Sequence, residues 1–413
     1  MPALSPASNS PERQRWKMLL ALTCAFALSQ AYRTVAAIMA PSLQQDFGLS
    51  AQGLGLFSGM FHLAFGGLQL AMGIGVDVHG VRRTLLAAFP LAIAGALLSA
   101  MAPGFGVLLL GQALIGIGCA PAFLVCTVFI ARQFPADRFA SVSGMVLAIG
   151  GMGMLLTGTP LAWLIEAWSW RAGFLALALL SVLAWLAVLR WVREPAAGQA
   201  GSVRRETLAG ALRGFGQLLT FAHTWGILAL GAVSYASFVT LRGLWLGPMM
   251  VERHGMSLVE AGNVAVLVTV VALVGPPLFG RLDPGERTRR RWIVGYGLAS
   301  AALFALAAFG LGLAGDLAVL VVLSLVLGFM VLQYADVRSA YPVTMTGRAL
   351  SLFTMSMFLG VALVQWLTGL AAEAAQAAAL PIPAAVLGAL AAVLAAGVAA
   401  FAWLPRPPRP GHR

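Results

Sequence analysis

The chain has 413 residues, 60% of them hydrophobic and 10% charged, with a formal net charge of +12. A soluble domain carries about 25% charged residues, so this sequence lacks the polar surface to cover a water-exposed fold, and lipid must be its solvent. The positive charge sits in short arginine clusters between apolar runs, the pattern of membrane orientation, and this excludes nucleic acid as a partner.

Residues 1–17 form a tail carrying Arg13, Arg15 and Lys17. The apolar stretch after it is about 23 residues long with no A-x-A site behind it. A secretory h-region runs only about 7–15 residues, so this stretch is expected to stay as a first span. A spanning helix needs about 20 mostly apolar residues. Twelve runs meet that length, near 18–40, 51–74, 84–102, 105–130, 140–164, 172–192, 224–249, 259–280, 292–313, 317–335, 349–371 and 382–404. The predicted fold is therefore an all-α integral membrane protein with twelve transmembrane helices. One long polar connection divides it, giving six-helix bundles at 18–192 and 223–404, a linker at 193–222 and a tail at 405–413. The linker contains "VRRETLAGALRGFGQLL", amphipathic enough to lie on the membrane surface.

Lysine and arginine collect on the cytoplasmic side of short loops. With the N-terminus inside, 22 of the 26 Lys and Arg fall in the tails or the even-to-odd connections; the exceptions are Arg33, Arg171, Arg242 and Arg253. Both termini are expected in the cytoplasm. The acids Asp46, Glu166, Glu252, Glu260, Asp316 and Glu373 lie on the other side.

A shift of 207 residues superposes landmarks in the two halves. Pro41 meets Pro248, Gly48 meets Gly255, Ser50 meets Ser257, Gly55 meets Gly262 and Gly73 meets Gly280. Arg82 and Arg83 meet Arg289 and Arg290, and Pro135 meets Pro342. Loop residues match as well as helix residues, which argues for a duplicated six-helix unit. Ser257 and Glu260 have capping-box spacing and should start the eighth helix.

Between the second and third runs stands "GIGVDVHGVRR", with Gly73, Asp77, Gly80, Arg82 and Arg83. Together with the duplicated halves, this segment resembles the signature of the major facilitator superfamily, and the resemblance spans the whole chain. Val78 departs from the basic residue usual after the aspartate, and the second copy, Gly280, Asp283 and Arg289–Arg291, has slipped in spacing. The resemblance implies two pseudo-symmetric bundles and a gate, in which these five residues latch the cytoplasmic side while it is closed. A topology anchor made by Arg82 and Arg83 alone is the simpler alternative.

Two charges lie inside the predicted membrane. Arg33 follows Lys17 by 16 residues, about 24 Å along a helix at 1.5 Å per residue, and Arg242 sits at similar depth in the seventh run. A lipid-facing arginine costs about 3 kcal/mol or more, so both should face a polar cavity. No acid lies at their depth. Guanidinium binds carboxylate or phosphate bidentately, which points to an anionic small-molecule substrate. The resemblance is then to the organic-anion and organophosphate branches, where arginines on the first and seventh helices hold the anion. Snorkelling, carbonyl contacts, or stacking near Tyr32 and Trp245 would also house these side chains. His62 is the one mid-helix histidine and a candidate for carrying a coupling proton. Tyr32, Tyr235, Trp245, Tyr334 and Gln365 complete the candidate substrate site, while Gln69, Asn263 and Gln333 suit helix–helix hydrogen bonds.

Proton-driven drug export is the competing reading. The drug-antiporter branches carry a fourth-helix arginine where this chain has Gln112, four residues before Gly116, and a Gly-Pro pair absent from "GGMGMLLTGTP". The five histidines are scattered, so neither an enzyme site nor a metal site is expected, and no cofactor. Cys24, Cys119 and Cys126 lack CxxC spacing and read as small core residues. "GLGLAG" at 310–315 follows no strand, which rules out a nucleotide loop, and "PRPPRP" reads as a solvated tail. A monomer in a bacterial inner membrane is the expected state.

Overall fold

The structure, a computed structural model, describes residues 11–135, 138–193 and 208–405; the Asp77 side chain, the linker stretch 194–207 and the tail from 406 onward lie outside the described residues. Every span is helical, and the described residues contain no strand.

Helices α1 (Pro11–Tyr32) and α2 (Val35–Phe47) form one span bent by 43° at Arg33–Thr34. Helix α3 (Ala51–Gly67) meets α4 (Gln69–Ala100) at a 42° bend, and α4 is itself two helices joined at Gly80. Residues Gln69–Val76 finish the second span and Val78–Ala100 form the third. Helices α5 (Phe105–Cys119) and α6 (Ala122–Gln133) make the fourth. The fifth runs through α7 (Phe139–Gly151), a 3-10 stretch at Met152–Thr157, and α8 (Thr159–Ala167). The sixth is α9 (Trp170–Trp191), and α10 (Leu208–Leu219) is the amphipathic linker helix.

The seventh span joins α11 (Ala222–Thr240), a π-helical turn at Leu241–Trp245 and α12 (Leu246–His254). Helices α13 (Leu258–Arg281) and α14 (Glu286–Ala308) follow. The tenth span is α15 (Gly312–Val326), a short 3-10 turn and α16 (Met330–Ala340); α17 (Val343–Ala377) and α18 (Ile382–Trp403) complete the bundle. Ten of these helices are long and apolar enough to cross a membrane, twelve when each bent pair counts as one span. Several overrun the apolar runs that announced them: the first extends to Phe47.

The repeat is visible in backbone detail. Gly48 and Gly255 end their helices in the left-handed region, at φ 61° and 64°. Ser50 and Ser257 then cap the next helices, each hydroxyl accepting from an amide at 3.2 Å, and Glu260 completes the capping box. Gly80 (φ 85°, ψ 172°) and Gly285 (φ 80°, ψ 168°) share a conformation closed to other residues. They stand 205 positions apart, so the repeat slips by two in this loop.

The halves touch along two equivalent seams. A Cβ at Gly55 of α3 would stand 2.5 Å from the Gln365 carbonyl of α17, and one at Gly262 of α13 would stand 2.9 Å from the Thr159 amide of α8. Without side chains there, the backbones pack directly. Thr159 donates to Asn263 at 2.6 Å and the Val259 amide donates to Glu166 at 3.2 Å, both across the second seam. These contacts gather at the end of the bundle that carries Asp46, Glu166 and Asp316. Seven of the eleven tryptophans are exposed on the outer face. Cys119 and Cys126 are buried as expected, but Cys24 is exposed on the flank of α1 and is no core residue.

Candidate functional site

Of the four arginines that break the charge bias, two are neutralised. Arg171 donates to Asp46 at 2.8 Å. Arg253 donates to Asp316 at 3.1 Å; that buried carboxylate also meets His254 Nε2 at 3.0 Å and accepts from the Leu311 amide at 3.0 Å. Arg33 and Arg242 have no carboxylate within ion-pair distance among the described residues, and they are 6% and 0% exposed.

Arg33 occupies the two-residue break between α1 and α2. Its Nη1 donates to Tyr235 Oη at 3.3 Å and its Nη2 to Ser29 Oγ at 3.4 Å, while Nε has no partner. The guanidinium carbon lies 4.6 Å from the Phe65 ring centre and 4.7 Å from that of Phe358. Phe65 belongs to α3 and Phe358 to α17, so one ring comes from each half. Cation–π contact holds the charge without discharging it.

Around Arg33 lie further polar groups. His62 Nδ1 sits 3.1 Å from the Ser58 carbonyl, within the electrostatic reach of Arg33. Its buried Nε2 faces the Gln365 amide without a hydrogen bond of good geometry, and both Gln365 side-chain atoms and Gln30 Oε1 are buried without partners. Tyr334 lies beside Tyr235 and Arg33, donating to Met357 Sδ at 3.3 Å. Buried polar atoms left unmatched cost about 1–3 kcal/mol each, and several of them fall in this region.

Arg242 faces the opposite side of the crossing between the first and seventh spans. It lies in the π-helical turn, its Nε donating to Thr269 Oγ1 at 2.8 Å and its Nη2 to the Met154 carbonyl at 2.9 Å; Nη1 is free of partners. Thr269 belongs to α13 and Met154 to the fifth span, so this side chain bridges the halves. Three irregular backbones meet here. Thr34 and Thr157 share a hydroxyl hydrogen bond at 2.6 Å, and a Cβ at Gly243 would lie 3.0 Å from the Arg33 carbonyl. Non-helical backbone survives at membrane depth only where protein or a cavity satisfies it.

The structure thus gathers Arg33, His62, Tyr235, Tyr334 and Gln365. Trp245 is tied to α17, its Nε1 donating to Thr368 Oγ1 at 2.9 Å. Tyr32 is not brought in; its hydroxyl bonds Ser181 of α9 at 3.0 Å. Two of the three simpler ways of housing the arginines occur, with partners the sequence did not single out: stacking on Phe65 and Phe358 for Arg33, a carbonyl for Arg242. Those phenylalanines, Gln30 and Met154 were missed because they sit in apolar runs with no local contrast.

At the arginine-rich end, Gly80 makes the sharp turn between spans and Arg82 Nη2 donates to the Leu189 carbonyl of α9 at 3.2 Å. Gly73 has open space where a Cβ would stand. In the second copy Asp283 binds Arg289 through both carboxylate oxygens, at 2.9 and 2.8 Å, and Asp336 accepts from Arg290 at 3.1 Å.

A helical bundle of twelve spans with internal repeats and a buried central arginine is the architecture of a membrane carrier. The Major Facilitator Superfamily profile matches residues 21–364 and 246–413, and this chain belongs to that family. It is 24% identical over 271 residues to the hexuronate transporter of Bacillus subtilis (strain 168), covering 64% of this chain and 63% of that protein's length. It is 30% identical over 305 residues to puromycin resistance protein pur8 of Streptomyces alboniger, covering 68% and 58%. With the gallate transporter of Pseudomonas putida it shares 28% over 313 residues, 67% of each. The fold matches an inward-facing, unoccupied bacterial homologue of the human lysosomal transporter Spinster, with a TM-score of 0.73, 20% identity and 96% of each chain covered. The family and these names are those of membrane transporters, not of enzymes.

Proposed function

We propose that this chain is a secondary transporter that carries a small organic anion across a bacterial inner membrane by alternating access, as a monomer with both termini in the cytoplasm. The observation that carries the reading is Arg33: a buried guanidinium at a helix break, lying against two mutually packed aromatic rings, one from each half, with only neutral partners. The anion completes its charge balance. Arg33 is the primary ligand, and Tyr235, Tyr334, His62 and Gln365 supply hydrogen bonds to the rest of the substrate. Names of hexuronate and gallate transporters among the relatives support a carboxylate.

Arg242 has a second task in this reading. Without substrate it ties the fifth span to the seventh and eighth; an anion reaching its free Nη1 competes with the Met154 carbonyl and loosens that tie. Binding energy is thereby spent on moving residues 18–192 against 223–404, as any ligand-driven shift requires. His62 is the proposed proton carrier, and Gly73, Asp77, Gly80, Arg82 and Arg83 the proposed latch.

Drug export is a second reading, supported by the similarity to the puromycin resistance protein. Uptake by reconstituted liposomes separates the two. Labelled hexuronate or gallate should accumulate and compete with each other, and puromycin should do neither. Puromycin transport with no response to either acid would overturn the anion reading.

A further inference from the structure

At the arginine-rich end of the first half, a recess of about 440 Å³ opens between the loop after the second span and the end of α9. It is lined by Arg82, Arg83, Leu189, Arg190, Val192 and Arg193. Four guanidiniums share this space, and among the described residues lining it there is no carboxylate. Arg83, Arg190 and Arg193 are exposed and carry the same charge, and an anion held among them relieves their mutual repulsion. Arg82 is already oriented by the Leu189 carbonyl. Arg190 is exposed in the last turn of α9 and Arg193 is exposed just past its end.

A second observation says which anion. Leu179, Leu183, Leu186 and Leu189 are exposed along one flank of α9, which runs to the rim of the recess, and Trp191 is exposed at the same end of the helix. Leu189 belongs to both features. A water-borne phosphate has no use for that apolar stripe, whereas a lipid has acyl chains to lay along it. Trp191 sits where indoles anchor at the headgroup level.

We propose that this recess is a binding site for an anionic phospholipid. Arg83, Arg190 and Arg193 hold the headgroup phosphodiester, and the acyl chains cover the α9 stripe. Arg82, on the lip of the same recess, links the bound lipid to the turn at Gly80. The site is separate from the central arginines and stands whether or not the anion reading of the substrate holds.

The test uses full-length protein in neutral detergent, titrated with phosphatidylglycerol, phosphatidylcholine or inorganic phosphate while thermal unfolding is followed. Phosphatidylglycerol should raise Tm, and the other two should leave it unchanged. In the R190Q/R193Q variant the phosphatidylglycerol response should move to roughly thirty-fold higher lipid, since each basic residue near a membrane surface contributes about 1 kcal/mol. The R190K/R193K variant should keep most of the response, and R287Q/R291Q, which removes two arginines from the other half, should keep all of it. Equal stabilisation by phosphatidylcholine or by inorganic phosphate overturns the proposal. So does a response that survives in R190Q/R193Q or falls equally in R287Q/R291Q. If R190Q/R193Q does not purify folded, the lysine pair and mass spectrometry of co-purified lipid decide: wild-type protein free of anionic lipid ends the proposal.

Discussion

A guanidinium laid against two packed phenyl rings keeps its charge but has lost much of its water. The Tyr235 and Ser29 hydroxyls restore only part of that hydration. Arg33→Lys retains the charge yet cannot present a planar pair of donors, and a charge-assisted hydrogen bond is worth about 1.5–3 kcal/mol. Calorimetric affinity for an acidic ligand should fall roughly ten- to a hundredfold, while a neutral ligand is unaffected. Arg242→Lys should weaken anion affinity less and lower Tm more, because its Thr269 and Met154 contacts already bind protein to protein. Equal behaviour of the two variants in both assays would refute the division of labour. Both arginines were legible in the sequence as charges stranded in apolar runs. Their directions were not, since a residue's depth follows from counting along a helix but its facing depends on a break and a π turn.

At the scale of elements, short signals were the readable ones. The capping box at Ser257 and the paired landmarks Gly48 with Gly255 and Ser50 with Ser257 appear as read, because each depends on a few neighbouring residues, whereas the register of Arg82–Arg83 with Arg289–Arg290 is displaced by two. Bends within spans were missed: apolar composition is uniform through them. Close-contact glycines look like any other glycine until a partner helix is known. Gly55→Leu and Gly262→Leu should each lower Tm, by about 1–3 kcal/mol of stability, through overpacking against backbone. Matching losses at the two seams would reflect their equivalence; loss at one alone would argue against it. In the loop after α13, Arg289 holds the Asp283 carboxyl below the usual carboxylate range, chiefly by hydrogen bonding. A depressed folded value means this contribution is present above the unfolded value of about 3.9 and fades as pH falls through the folded one. Asp283→Asn should therefore lower Tm at pH 7 and flatten its decline below about pH 4.

At the scale of the whole molecule, length and charge pattern carried most of the fold: twelve spans, their order and an internal duplication. The proposed orientation is open to direct measurement. In a background where Cys24 is serine, Arg287→Cys should react with an impermeant thiol reagent only in inverted vesicles, and Ala377→Cys only in intact cells. The reverse pattern would invert the orientation and move the arginine-rich end outside. The seams described between α3 and α17 and between α8 and α13 lie at the opposite end, so Ala377 and the contacts near it report on the closed side.

The meeting of three irregular backbones has a mechanical consequence. A regular helix is stiff because every turn is stitched to the next; at Arg33–Thr34, Met152–Thr157 and Leu241–Trp245 that stitching is altered. These stretches touch, through Thr34 with Thr157 and Arg242 with Met154, so the soft points of three spans coincide. The bundle has, in effect, a crease rather than three separate weak spots. Deuterium should enter the amides along this crease well before it enters the helical turns above and below it, and it should do so in all three spans at similar rates. Under the proposed alternating access, a crease shared between the halves would let a small ligand at its centre fold the whole molecule without breaking the long helices on either side.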